Sequence, residues 1–396
     1  MAKKDFLKGA AVGVILTAAV ALGGFTAWVR ENTPAKNTVL SDKGTRDKLE
    51  YLETLIDAKY MDEKDEEKLE EGLYAGLIYG LGDTYSRYYT AEEYEQESTG
   101  NAGSYVGIGV LIMQNSDGGI LVTECYEGGP AELAGIEDGD VISAVDGIDI
   151  TEMTTEEVSD MIKNDEDKSV VLTVHREDVE EPFDVTVSVS DVELPAVFHE
   201  MLENHIGYVR ISEFTMVAPG QFEEALADLK AQGMEKLVID LRYNPGGILT
   251  SVCDILRQIL PEGLIVYMED KYGNRREENC DGETPLDMPL AVIVNGESAS
   301  ASEVFAGAVQ DYGIGTIVGT TTYGKGVVQS LYTLKDGSAV KLTTEKYYTP
   351  NGRSIHEVGI EPDVEVKLDT SLLNKEEITH KDDNQLQAAV KALEDK

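Results

Sequence analysis

The sequence predicts a multidomain α/β protein with an N-terminal transmembrane helix, and three observations carry that prediction. An uncharged run extends from Gly9 to Val29, short strands punctuated by glycine fill residues 101–192, and from residue 193 apolar strands alternate with amphipathic helices. A chain of 396 residues exceeds one average domain. The expected organisation is a cytoplasmic tail and anchor (1–30), a linker and helical region (31–100), an inserted α+β module (101–192), an α/β core (193–370) and a helical tail (371–396).

Lys3, Lys4 and Lys8 precede the apolar run and Arg30 closes it. Its 21 residues are what a helix needs to cross a hydrocarbon layer about 30 Å thick. Leading lysines hold that end in the cytoplasm, so a single-pass protein with its bulk on the extracytoplasmic side is expected. Ala19-Val20-Ala21 would suit a cleavable signal peptide, but the apolar run continues through Phe25 and Trp28, which favours an uncleaved anchor.

The formal charge of −42, with no basic stripe, excludes nucleic acid as a partner. Cys125, Cys253 and Cys280 are odd in number and lack CxxC spacing, so neither a disulfide framework nor a zinc site is expected, and one pair is left open. His175, His199, His205, His356 and His380 fall into no metal-binding pattern. No metal or cofactor is expected.

Residues 31–43 are polar with Pro34, as in a linker. From Thr45 to Tyr79, Leu49, Leu52, Leu55 and Ile56, then Leu69, Leu73, Leu77 and Ile78, recur at helical steps, and packing between helices is the expected use of that stripe. Gly80-Leu81-Gly82-Asp83 breaks the pattern ahead of the aromatic Tyr85 to Tyr89, and Glu92 to Glu97 restores helix-forming composition.

The inserted module opens with Tyr105-Val106-Gly107-Ile108-Gly109 and continues through GPAELAGIEDGDVISAVDG. This pattern resembles a PDZ domain. The resemblance implies that Tyr105, Val106, Gly107, Ile108 and Gly109 form a loop whose N–H groups receive a peptide's C-terminal carboxylate while the peptide adds as a strand. Glycine suits a loop that the ligand must approach closely. The KNDEDK turn beginning at Lys163 is more acidic than the basic, Gly-containing turn that is common in such modules.

In the core, strands are expected over 206–211, 237–241 and 264–268, with helices over 220–232 and 248–260 and an exposed acidic loop over 274–287. Arg242-Tyr243-Asn244-Pro245-Gly246-Gly247 lies at the carboxyl end of a buried strand, where α/β folds place ligand-binding groups. An apolar strand, Ala291 to Val294, then enters a Ser-Ala-Ser-Ala-Ser cluster that opens a helix over 303–312. A short strand, 315–319, leads to a Gly-rich turn holding Lys325.

These residues permit three readings. Ser300 and Glu303 match the S-x-x-E capping box of a helix start. Gly319 to Lys325 matches G-x-x-x-x-G-K, but Gly326 stands where a phosphate loop needs Ser or Thr. A Ser/Lys hydrolase needs a serine within reach of a neutral, buried lysine, and no acid occurs from Gly313 to Leu334 to hold Lys325 charged.

The stretch NGESASASEVFAGAVQDYG with VGTTTYGKGVVQ resembles the C-terminal processing peptidases, also called tail-specific proteases, which are PDZ-bearing serine endopeptidases. GLGDTYSRYYT, VIDLRYNPGG and LTTEKYYTPNGRSIHEVGIEPDVEV extend the likeness over nearly the whole exported part. The resemblance implies Ser300 as nucleophile, Lys325 as general base and Gln329 as the residue orienting that lysine. It further implies a backbone oxyanion hole from Ala301 and Gly246, with Ser298 and Ser302 in support and Asp240, Arg242 and Glu303 as bracing residues. Substrates would be proteins with free apolar C-terminal tails, and the setting a bacterial cell envelope. A catalytically silent PDZ scaffold is the alternative, which the joint presence of Ser300, Lys325 and Gln329 argues against. Leu386, Ala389, Val390 and Leu393 share one helical side of the tail, which could pack on its own subunit or pair two subunits in a homodimer.

Overall fold

The computed structural model describes residues 38–163, 169–374 and 379–394. The predicted anchor, and residues 164–168 of the acidic turn, lie outside the described residues. Among the described residues, no helix is long and apolar enough to cross a membrane.

The chain divides after Leu73 into two compact units. Helix α1 (Lys43–Lys59) starts at Asp42, whose side chain accepts from the Thr45 N–H, and α2 (Glu66–Tyr79) follows. Neither helix buries any residue, and Leu52, Leu55, Leu69, Leu73 and Leu77 are exposed, so the apolar stripe is not spent on packing between helices as the sequence suggested. The aromatic segment yields β1 (Arg87–Tyr89), and a capping box at Thr90 and Glu93 opens α3 (Ala91–Ala102).

The inserted module is a strand-rich unit with two short helices. Its pair β2 (Ser104–Gly107) and β9 (Ser190–Glu193) forms the neck, since Tyr105 faces Val192 and Gly107 faces Ser190. Between them run β3 (Val110–Gln114), β4 (Ile120–Cys125), α4 (Pro130–Ala134), β5 (Val141–Val145), β6 (Ile148–Asp149), α5 (Thr155–Lys163), β7 (Ser169–His175) and β8 (Phe183–Ser188). The sheet order is β3-β4-β5-β7-β8. Alternation puts Val170, Leu172 and Val174 inward on β7, where they meet Val158 and Ile162 of α5 in a core separate from that of the rest of the chain.

The core is a six-stranded sheet, β10 (Val197–Leu202), β11 (Ile206–Ile211), β12 (Lys236–Asp240), β15 (Leu290–Val294), β16 (Gly315–Gly319) and β19 (Val364–Glu365), in that spatial order and parallel beyond the first pair. Leu290, Val292 and Val294 pack toward α6 (Ala218–Ala231), α7 (Leu249–Arg257) and α8 (Ala301–Tyr312). Ala291 and Ile293 pack toward the opposite face, which the tail helix α9 (Asn384–Ala392) covers with Leu386 and Ala389. Burial on both faces is why β15 reads as an unbroken apolar run. The tail's apolar side thus packs on its own sheet.

A second sheet carries β13 (Gly263–Asp270), β14 (Arg275–Cys280), β17 (Val327–Thr333) and β18 (Ala339–Tyr348), with β1 on the edge of β18. The segment expected as an exposed loop over 274–287 contains β14. Its charged residues read as a loop, yet Asp270 accepts from the Tyr272 and Asn274 N–H groups and turns the chain into a hairpin. Charge on an edge strand also opposes sheet-to-sheet association. All three cysteines are free thiols, so the open pairing is not made.

Candidate active site

Ser300 sits between the buried end of β15 and the first turn of α8, with φ 56° and ψ −112°. A non-glycine residue held there stores about 1–3 kcal/mol of strain, which the surroundings must impose. They do so through the facing Asn-Pro-Gly-Gly turn: the Ala299 N–H and the Ser302 hydroxyl both donate to the Asn244 carbonyl, at 3.1 and 3.0 Å. Fully buried Ser298 donates to the Leu241 carbonyl at 2.7 Å. The two flanking serines are therefore fasteners that hold the middle one on the turn.

Glu303 occupies the centre of this arrangement and is fully buried. Its carboxylate accepts from the Ser300 N–H (2.9 Å), the Thr322 hydroxyl (2.6 Å), the Gly324 N–H (2.7 Å) and the Lys325 N–H (2.8 Å). Burial raises its pKa, and the four bonds oppose that rise. The segment that mimicked a phosphate loop does wrap an anion with its N–H groups, but the anion is this carboxylate. One side chain thus ties the serine's backbone to the lysine's.

Lys325 has a pKa lowered from 10.5, by burial first and by the charge of Lys341 second, with Glu303 and Glu97 opposing. Its ammonium lies 5.0 Å from the centre of the Tyr85 ring. Lys341 is neutralised in part by Glu97 at 2.7 Å. Ser300, Lys325 and Gln329 all line one cleft of about 430 Å³, together with Tyr347. Among the described residues no hydrogen bond joins the Ser300 hydroxyl to the Lys325 ammonium, and Gln329 donates to the Thr343 hydroxyl at 3.2 Å instead of engaging the lysine.

Ala301 contributes the first helical N–H, which has no intrahelical partner. Gly246 has φ 111°, and a methyl group on it would come within 2.8 Å of the Ala299 carbonyl and of the Ser300 side chain, so only glycine fits. Its N–H, however, donates to Asn244 Oδ1 at 2.9 Å. Gly247, next in the chain, is the glycine of that turn that lines the cleft.

In the inserted module, Tyr105, Val106, Gly107 and Ile108 line a groove of about 190 Å³ whose opposite wall is Val158 and Ile162 of α5. Gly109 stands behind the loop at φ 80°, against Pro130. The Ile108 and Gly109 carbonyls are bonded inward, to the Ala131 and Tyr126 N–H groups.

Residues 205–366 match peptidase family S41, and residues 121–176 match a PDZ domain. A carboxyl-terminal-processing protease from Synechocystis is 35% identical over 322 residues, covering 80% of this chain and 75% of that protein. The chain belongs to the C-terminal processing peptidases of family S41. A probable CtpA-like serine protease of Staphylococcus aureus is 34% identical over 359 residues, 90% of this chain and 71% of that protein. The solved structure of a putative S41 protease from Bacteroides fragilis, 18% identical, covers 85% of this chain and 93% of its own with a TM-score of 0.50, which speaks for the fold. This S41 chain is accordingly a serine-type peptidase carrying a PDZ domain. Sequence reasoning did not foresee Tyr85, Asn244 or Tyr347 at the site. Its signal for them was present in the DTYSRYY, RYNPGG and KYYTP segments, but nothing in those segments says which side chain turns toward the cleft.

Proposed function

We propose that this peptidase is a membrane-anchored endopeptidase of the extracytoplasmic face, set in a bacterial cell envelope, that cleaves proteins presenting a free apolar C-terminal tail. The tail adds to the PDZ groove with its carboxylate at residues 105–108 and its side chains against Val158 and Ile162. The apolar character of those walls supports the preference.

Cleavage proceeds at Ser300. Neutral Lys325 takes the hydroxyl proton as the oxygen attacks the scissile carbonyl, and returns it to the leaving amine, and water then releases the acyl group. The Ala301 N–H receives the tetrahedral oxygen with a glycine N–H of the facing turn. Gly247 lines the cleft and is the glycine proposed for that part, while the Gly246 N–H is bonded to Asn244 and takes it only on leaving that oxygen. The observation that carries the reading is a strained serine and a lysine of depressed pKa on the walls of one cleft. Bonding between them requires a closing movement, and Gln329, which lines the same cleft, orients the lysine once released from Thr343.

The test is cleavage of an unfolded reporter ending in apolar residues by the chain lacking residues 1–30. Ser300→Ala and Lys325→Ala should each lower kcat by at least about 10³-fold, while Ser298→Ala retains much of the activity. Undiminished cleavage by Ser300→Ala would overturn the mechanism and favour a silent scaffold with a contaminating protease.

A further inference from the structure

We propose that Tyr347 is a positioning residue of this peptidase, whose hydroxyl joins the Ser300 side chain to the main chain of Lys325; the proposal rests on the Ser/Lys reading above. Tyr347 is among the largest fully buried side chains of the protein, yet it reaches the wall of the catalytic cleft. Its hydroxyl donates to the Lys325 carbonyl oxygen, and its own N–H donates to the Gly326 carbonyl at 3.2 Å, so it grips the lysine turn twice.

A phenol that donates its proton to Lys325 has lone pairs left to accept from another hydroxyl. The Ser300 side chain, which lines the same cleft as Tyr347, is the partner assigned to them. Burial, with the Glu303 charge next in weight, holds the phenol neutral through any assay range. The peptide segment of Lys325 is therefore fixed from both sides: its N–H by Glu303 and its carbonyl by Tyr347. The Glu303 clamp also holds the Ser300 N–H, and on this proposal the phenol holds the Ser300 hydroxyl, which lines the same cleft. Tyr347 thereby sets the serine rotamer and the origin of the lysine side chain, and takes no proton in the reaction.

The hairpin supports this placement. Tyr347 lies on β18 opposite Met268 of β13, an interior strand pair, so the ring cannot swing away without breaking the sheet. A phenol anchored by the second sheet therefore reads out to a dyad anchored by the first.

Two measurements test it. Tyr347→Phe, in the chain lacking residues 1–30, is expected to lower kcat at least tenfold with KM within twofold. The rate of inactivation by a small fluorophosphonate, which needs no tail, should fall in parallel. Unchanged kcat, or a rise in KM alone, overturns the proposal. Because the Phe variant can fail to fold, 3-fluorotyrosine placed at position 347, close to isosteric, supplies the second reading. Its fluorine resonance should move on Ser300→Ala, and an unmoved resonance overturns the proposal whether or not the chain is active. Persistence of cleavage in Ser300→Ala together with a moved resonance would instead count against the Ser/Lys reading, leaving the contact intact.

Discussion

At the scale of single residues, a lysine serves as a base only where water and carboxylates fail to hold its proton. Burial and the neighbouring Lys341 charge move Lys325 toward that condition, against the pull of Glu303 and Glu97. In the proposed mechanism the lysine's neutral form is the active one, so kcat/KM should climb with pH along a limb whose midpoint lies below 10.5. Lys341→Met removes a like charge and frees Glu97, both of which favour the ammonium, so the limb should move to higher pH; a pH profile of reporter cleavage checks it. Glu303→Gln replaces one accepting oxygen with an NH2 that faces N–H donors. A loss of about 3 kcal/mol of stability is expected, read by urea unfolding, with a larger proportional loss of kcat than of thermal stability. The Ser-x-x-Glu spacing made this pair visible in the sequence as a helix start. What it could not disclose is that the carboxylate also gathers Thr322, Gly324 and Lys325, because those partners come from a turn on the far side of another strand.

At the scale of elements, strand and helix periodicity in the core was legible because burial on each face imposes it. Elements that owe their form to a neighbour were not: β14 is written in charges and exists because β13 offers it an edge. The tail helix shows both cases. Its apolar spacing announced a helix, but only the fold assigns that face to the chain's own sheet. Its N-cap, Asp383, accepts from the Gln385 and Leu386 N–H groups and pairs with Arg242 at 2.7 Å, and Arg242 in turn binds Asp240 at the head of the catalytic turn. Burial raises the Asp383 pKa, but the Arg242 bond and charge together with the Leu386 and Gln385 N–H groups outweigh it and the net direction is downward. A carboxylate with a depressed folded pKa stabilises above its unfolded value near 3.8, and that contribution is lost as pH falls through the lower folded value. Asp383→Ala should therefore cost about 3 kcal/mol at neutral pH, the sum of a lost cap and a stranded buried arginine. The difference from the parent should shrink in acid, as followed by thermal unfolding at several pH values.

At the scale of the whole molecule, the PDZ module and the peptidase sheet have separate hydrophobic cores, and the proposed function assigns tail capture to the first and bond cleavage to the second. If the groove delivers substrate, Ile162→Asp should raise KM for a tailed reporter about tenfold or more, because a buried carboxylate would be set against an apolar tail. Amidating the reporter's C-terminus should act on KM in the same direction. Inactivation by a small fluorophosphonate should be unaffected by either change, and a comparable loss there would mean that the groove governs the catalytic cleft itself.

The sequence by itself determined the local features: a spanning-length apolar run, the PDZ and S41 motifs, the strand-to-helix turn at Ser300 and the lone lysine of the Gly-rich turn. Each of these is written within a few tens of residues, where spacing alone restricts the backbone. Tertiary structure decided what those features meet. It brought Asn244, Tyr85 and Tyr347 to the serine and the lysine from three separate segments, joined Glu303 to the lysine turn, spent the Gly246 N–H on Asn244, and left Gly247 on the cleft wall. Such contacts depend on which side chains two sheets turn toward one another, and a linear pattern records the faces of an element but not its opposite number.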